Sequence, residues 1–261
     1  MLLSRSMSIQ NVHLITGASS GIGSALARIL AKKKLPLALW ARRTERLEVL
    51  KKECLDLGAP EVKIATLDVR DKQAIHAELQ NHRNFYDRTL ALINNAGLAR
   101  GRELFHEGKS LDWEEMIDIN LKGVLFVTEA ILPLMLQNKR GDILMVGSVA
   151  GHTTYPGGNV YAATKAAIDS LTKSLRMDLL GQPIRVMEIA PGATETEFSL
   201  TRYRGDTVKA KAVYDGMKPL SAHDVASSMD WMLSTPRHVT LSHVVIYPTD
   251  QAHPLAIHRR T

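Results

Sequence analysis

A single cysteine, Cys54, stands among 261 residues, so no intrachain disulfide can form and metal sites built on several thiolates are excluded. One thiol suits a reducing compartment, and Cys54 falls in a helical pattern with no paired histidine near it, the setting of a packing residue. Aromatic residues make up only 5%, too few for an evident base-stacking platform. No apolar run approaches the roughly 18 uninterrupted residues of a membrane span. The opening MLLSRSMSIQ has only Leu2 and Leu3 before polar residues, which is short for a signal peptide, and residues 1–10 read as a loose lead-in. The ten histidines show no HExxH spacing, and the expectation is no metal site. Basic residues outnumber acidic ones by 33 to 27, but they are dispersed, with the longest runs at Lys32–Lys34 and Arg42–Arg43. Such scatter argues against nucleic acid and fits an enzyme that handles anionic small molecules. A cytoplasmic protein without nucleic-acid or membrane partners is therefore expected.

What is present is an alternation. Short apolar runs at Asn11–Ile15, Pro36–Trp40, Val62–Leu67, Leu90–Ile93, Asp142–Val146, Ile184–Ile189 and His243–Tyr247 read as strands. Helical patterns separate them, the longest around Trp113–Gln137 and Tyr161–Leu180. Continuous apolar runs are the mark of buried parallel strands, and seven of them alternating with helices specify a doubly wound α/β sheet of Rossmann type. No linker divides residues 11–261, which read as a single catalytic domain. The irregular stretch 192–219 is its longest interruption, placed where a substrate lid would stand.

The first strand runs into TGASSGIG. Gly17, Gly21 and Gly23 let the chain turn tightly and approach a phosphate, while Ser19, Ser20 and Ile22 bring it to a helix N-terminus that can hold the anion. Where NAD-selective folds place a carboxylate at the end of the second strand, this chain has Ala41 followed by Arg42 and Arg43. Arginines suit a 2′-phosphate, so the cofactor should be NADP(H). Asp68 and Val69 end the third strand, where the adenine would lie, and Asn95, Ala96 and Gly97 end the fourth beside the ribose.

Tyr161 and Lys165 are four residues apart, on one face of a helix. An ammonium beside a phenol favours the phenolate, giving an acid/base able to work near neutral pH. Ser148, thirteen residues before the tyrosine, can hydrogen-bond a substrate carbonyl. Asn120 is either a satisfied structural amide or the holder of a water that links Lys165 to solvent.

Together TGASSGIG, NNAG, the asparagine in IDINLKG, Ser148 and YAATK resemble the short-chain dehydrogenase/reductase family over nearly the whole chain. The resemblance implies hydride transfer between a nicotinamide and a carbonyl/alcohol pair, with Asn120, Ser148, Tyr161 and Lys165 as catalytic tetrad. It also implies Pro191, Gly192 and Thr194 at the cofactor. The segment APGATETEFSLTRYRGD with YPTDQAHP resembles the NADP-dependent 3-hydroxy acid dehydrogenases that oxidise serine and allo-threonine, and is similar to sulfoacetaldehyde reductases. That subgroup implies 3-hydroxypropionate-type acids or their semialdehydes as substrates and a homotetramer. Arg202 and Arg204 lie in the stretch 192–219; either both are solvated surface charges, or one of them, Arg202 being preferred, pairs with the substrate carboxylate. The rival readings are a broad carbonyl reductase for apolar ketones and an NADP-binding sensor without catalysis.

Overall fold

The computed structural model describes residues 11–260, so the lead-in 1–10 lies outside it. The strands are β1 (Val12–Thr16), β2 (Leu37–Ala41), β3 (Val62–Thr66), β4 (Thr89–Asn94), β5 (Gly141–Val146) and β6 (Ile184–Pro191), then two short ones, β7 (Thr194–Glu195) and β8 (Leu220–Ser221), and β9 (His243–Ile246), β10 (Gln251–His253) and β11 (Ala256–Ile257). Seven of them make one sheet in the order β3-β2-β1-β4-β5-β6-β9, every pair parallel. These are the seven expected strands, shifted by one or two residues at most at each end. The central β1, β2 and β6 are buried along their whole length, whereas edge strands β3 and β9 are partly exposed, as position in the sheet dictates.

Helices cover both faces and divide the core in two. One layer joins Leu14, Trp40, Leu92 and Ile143 to Ile75, Val127, Ile131 and Ile168; the other joins Ile15, Leu39, Ile93 and Leu144 to Leu26, Leu30, Leu47 and Met229. Alternate residues of each strand thus face opposite layers. α1 (Gly21–Lys32) shows the logic of the helices: Leu26, Ala27, Leu30 and Ala31 fall on one stripe and are buried. The helical stretch Ser110–Gln137 is long and apolar enough by composition to cross a membrane, but half of that window is buried against the sheet, so it is a core helix.

Two features depart from the sequence reading. The stretch 192–219 contains two short helices, Glu197–Arg202 and Thr207–Ala212, capped by Thr196 and Asp206, and a two-strand pair of Thr194 with Leu220 and Glu195 with Ser221 closes its base. Side-chain caps and a non-local ladder order a segment in which no hydrophobic period is visible. The β10–β11 hairpin near the C-terminus was likewise not foreseen.

Asp142 and Arg185 face each other in the β5–β6 ladder and are almost completely buried, joined by bonds of 2.7 and 3.0 Å. Arg185 also donates to the carbonyls of Leu233, Thr235 and Val239, fastening the sheet to the chain that leads into β9. Removing one member leaves a buried charge unmatched. Asp142→Ala should therefore cost about 3–5 kcal/mol in denaturant unfolding. A loss under about 1 kcal/mol, the value of an exposed pair, would mean the buried bridge contributes nothing special.

Candidate active site

The strand order reverses between β1 and β4, and a cleft opens beyond their carboxyl ends. Two loops touch there. Gly17 has φ +64°, and a Cβ on it would lie 2.8 Å from Ala96 Cα. Gly21 also has positive φ, +55°. Asn95 ties the loops together, its side-chain amide donating to the carbonyls of Thr16 (2.8 Å) and Gly17 (3.2 Å). Gly23 does not line the cleft: a Cβ there would come within 2.6 Å of Asn95 Nδ2, so its smallness serves packing of α1 on the sheet. α1 begins at Gly21 with no acidic residue in its first turn and no side-chain cap from Ser20. Its first N–H groups thus remain available to an anion, and the cradle suits a dinucleotide pyrophosphate.

The arginines after β2 both line the cleft but do not form a side-by-side fork. Arg43 turns onto the glycine loop, donating to Ser19 Oγ (3.1 Å) and Ser20 Oγ (2.7 Å), and reaches Glu197 of the short helix Glu197–Arg202 at 2.8 Å. Arg46 binds the same carboxylate. Arg42 is more than half exposed and stands 3.8 Å from Asp68, which Arg70 grips more closely at 2.7 Å. Val69, Asn95, Ala96, Gly97, Pro191, Gly192 and Thr194 line the same cleft.

Ser148, Tyr161 and Lys165 meet in the inner part of the cleft. Ser148 begins the short turn after β5, and Tyr161 and Lys165 lie on the helix Asn159–Asp178. The Ser148 hydroxyl accepts from the Ala150 N–H at 3.1 Å and lies near enough to the Tyr161 phenol to favour its ionised form. Burial, with Tyr155 adding to it, pushes the phenol up to about 12, opposed by the Ser148 hydroxyl and the Arg202 charge. Lys165 is pushed down to about 8 by burial, with Glu188 opposing, and its Nζ donates to the Val146 carbonyl at 2.7 Å. The sequence reading expected the ammonium to pull the phenol down; here it stands 6.0 Å from the ring centroid and turns to a carbonyl, and the cation that favours the phenolate is Arg202. The i, i+4 spacing fixes the shared face, but not where a long flexible side chain spends its charge.

Asn120 lies behind Gly97, in a π-helical turn, Asp118–Gly123, that interrupts the long helix. Its side chain donates to the Leu98 carbonyl (2.8 Å) and Thr164 Oγ1 (3.2 Å) and accepts from Leu98 N–H (2.9 Å). Gly97 is hemmed between Asn120 and Lys165, so the asparagine holds the loop that ends β4 close to the lysine.

Arg202 is 9% exposed and lines the cleft, its guanidinium carbon 5.4 Å from the Tyr161 ring centroid. It donates to the Gly101 carbonyl (2.9 Å) and Tyr155 Oη (3.2 Å). Arg204 instead pairs with Asp112 and Glu103 near the surface and is absent from the cleft. Sequence reasoning missed Arg102, Tyr155, Phe198 and Tyr214, which line the same pocket; Phe198 packs on Tyr161 at 5.5 Å between centroids. Tyr155 lies in the stretch leading to the helix of Tyr161 and carried no periodic signal. Cys54 is buried, its thiol pushed up to about 11 by burial, which makes it inert packing as expected.

The short chain dehydrogenase model matches residues 11–206. The chain belongs to that family. It is 40% identical over 245 residues to sulfoacetaldehyde reductase 2 of Chromohalobacter salexigens, covering 94% of this chain and 96% of that protein. It is 39% identical over 251 residues to the NADP-dependent 3-hydroxy acid dehydrogenase YdfG of Escherichia coli K12, covering 95% and 100%. The closed form of a serine dehydrogenase complexed with NADP+ superposes with a TM-score of 0.89 at 38% identity, covering 95% of this chain and 100% of that one.

The turn at Gly17 tolerates no side chain without strain, because positive φ and the Ala96 contact act together. Gly17→Ala should cost about 1–3 kcal/mol in unfolding, and more than an alanine exchange at the open Gly181. Equal losses at the two sites would show that only φ matters.

Proposed function

We propose that the protein is an NADP(H)-dependent oxidoreductase that interconverts short 3-hydroxy acids of the serine, allo-threonine or 3-hydroxypropionate type with their carbonyl forms. Membership of the family supports the reaction class, and the NADP-dependent relatives together with Arg42 and Arg43 at the cleft support the cofactor. The observation that carries the substrate class is Arg202, a buried guanidinium beside the Tyr161 ring, in a pocket that also holds Arg102. A purely apolar ketone has no use for that charge. The same cation suits a sulfonate, which keeps sulfoacetaldehyde as the second reading, in line with the Chromohalobacter relatives.

The nicotinamide, when bound, supplies or accepts the hydride. The Tyr161 phenol gives its proton to the carbonyl oxygen in reduction and takes the hydroxyl proton in oxidation. Ser148 donates a hydrogen bond to the same oxygen and holds it toward the phenol. Lys165, held on the Val146 carbonyl, binds the nicotinamide ribose, and Asn120 fixes the Leu98 loop and the water path to that lysine. Arg202 holds the acid group. Residues 192–219 act as a lid, in which Phe198 excludes water from Tyr161 and Glu197 binds the arginines of the cofactor rim. The reading extends to a cytoplasmic homotetramer: Leu111, Leu125, Met177 and Leu180 offer exposed apolar surface on and beside the two long helices, and the lone buried cysteine fits a reducing compartment.

Tyr161→Phe should lower kcat about 10²–10⁴-fold while leaving NADPH binding near normal. More than a tenth of the wild-type kcat would remove the phenol from the acid/base role. Oxidation needs the phenolate, so its rate should climb as pH rises from about 7 toward the raised tyrosine value. Losing the Arg202 charge should move the profile to still higher pH, because that cation stabilises the phenolate. A flat profile would exclude a tyrosine base.

Arg202→Ala should raise KM for a hydroxy acid roughly 10–100-fold, from the loss of a charge-assisted bond of about 1.5–3 kcal/mol. The uncharged alcohol of similar size should be much less affected. Equal losses on both substrates would make Arg202 a support for the Gly101 loop rather than an anion site.

A further inference from the structure

Beyond Lys165, one helical turn along the helix Asn159–Asp178, stands Asp169. It meets side chains from three other segments. Glu188 of β6 and His243 of β9 are direct partners in the parallel ladder, so both leave the sheet on one side. His152 follows the short turn after β5. His243 Nδ1 lies 3.6 Å from Asp169 Oδ1 and 3.6 Å from Glu188 Oε2, and His243 Nε2 is 3.0 Å from His152 Nε2. One donor atom from each of the four residues lies within 4.8 Å of all the others.

The carboxylates are the reason to look further. Glu188 is 0% exposed, and neither of its oxygens has a hydrogen-bond partner; Asp169 Oδ1 is buried and unpartnered as well. Buried oxygens of this kind are costly unless a cation meets them. The nearby ammonium groups are engaged elsewhere, Lys165 with the Val146 carbonyl and Lys173 with the other oxygen of Asp169. Asp169 Oδ1 and Glu188 Oε2 instead face His243 Nδ1.

We propose that His152, Asp169, Glu188 and His243 form a binding site for a divalent transition-metal ion of the zinc class. Two imidazole nitrogens and two carboxylate oxygens are a donor set zinc accepts at about 2.0–2.2 Å, which spaces tetrahedral ligands by roughly 3.4 Å. Both 3.6 Å separations run to His243 Nδ1 and are close to that edge, while His152 meets the other ring nitrogen, Nε2, so one of the two imidazoles must turn for all four donors to hold one ion. Magnesium and calcium prefer all-oxygen shells of six or more ligands and fit poorly. His152 is exposed and gives the ion a way in, while Glu188 anchors the floor. The ion would join β6, β9, the turn after β5 and the helix that carries Tyr161 and Lys165. No short spacing in the chain announces the site, because its ligands come from four separate segments. The site does not rest on the proposed reaction for its evidence and is tested without measuring activity.

The full chain is stripped with chelator and titrated with Zn²⁺ alone against a chromogenic competitor, and separately with Co²⁺ alone. The expected result is one ion per chain, an intense tetrahedral Co²⁺ spectrum that Zn²⁺ abolishes, and a melting temperature raised by Zn²⁺. His152→Ala, at an exposed position and compared with its own metal-free melting curve, should weaken Zn²⁺ at least about 10-fold, and His243→Gln should weaken it further. His223→Ala, outside the cluster, should change nothing. Zn²⁺ affinity unaltered by both cluster variants, or a weak octahedral Co²⁺ spectrum, would overturn the proposal. Glu188→Gln serves only as a supplement, since its burial endangers folding; the His152 variant decides.

Discussion

The close approach of two loops where the sheet reverses direction governs the rest of the molecule. β1 and β4 run side by side, and their exits must part around a cleft. Gly17 and Ala96 can pass only because one has no Cβ and the other a minimal side chain, and Asn95 then clasps both loops with its amide. From this contact follow the direction of α1, the exposure of its first N–H groups and the depth at which Gly97 abuts Asn120 and Lys165. A side chain at Gly17 or Gly23 would push the loops apart and displace the anion cradle from the reacting groups.

Burial then sets the electrostatics. The same dry environment drives the Tyr161 phenol up, the Lys165 ammonium down and the Glu188 carboxyl up to about 7. These groups are held by different elements, the first two by one helix and the third by β6, yet their charges feel one another because water is excluded. Arg202 enters this system from the segment after β7, so the position of that segment also sets the charge beside the phenol. Glu197, on the same short helix, grips Arg43 and Arg46 at the other end of the cleft. If a 2′-phosphate docks there, as the proposed function has it, Arg43 would already be sharing a carboxylate with Arg46, which would couple cofactor binding to the position of this helix.

How much of this could be read from the residues differs by element. The seven strands were legible because burial on both faces leaves continuous apolar runs such as LALWA and IRVMEIAP, and a run of that kind needs no partner to be recognised. The glycine loop, Ser148, Tyr161 and Lys165 were legible for a similar reason: each motif is local, and backbone geometry ties its spacing to a turn or a helical face. The segment 192–219 was not, since its two short helices depend on caps and on a two-residue ladder to Leu220 and Ser221 that no period records.

The sequence by itself determined the doubly wound sheet, the place of the cleft and its glycine loop, because these follow from hydrophobic period and local turn chemistry. Only the tertiary structure decided which arginine reaches the pocket: Arg202 ends a short helix and packs inward, while Arg204, two residues on, takes a left-handed backbone and pairs at the surface. It also decided that Lys165 turns to Val146, that Glu197 shares Arg43 and Arg46, and that His152, Asp169, Glu188 and His243 converge. Each of these is a meeting of side chains from distant segments, and long-range proximity is created by packing and leaves no trace in spacing along the chain.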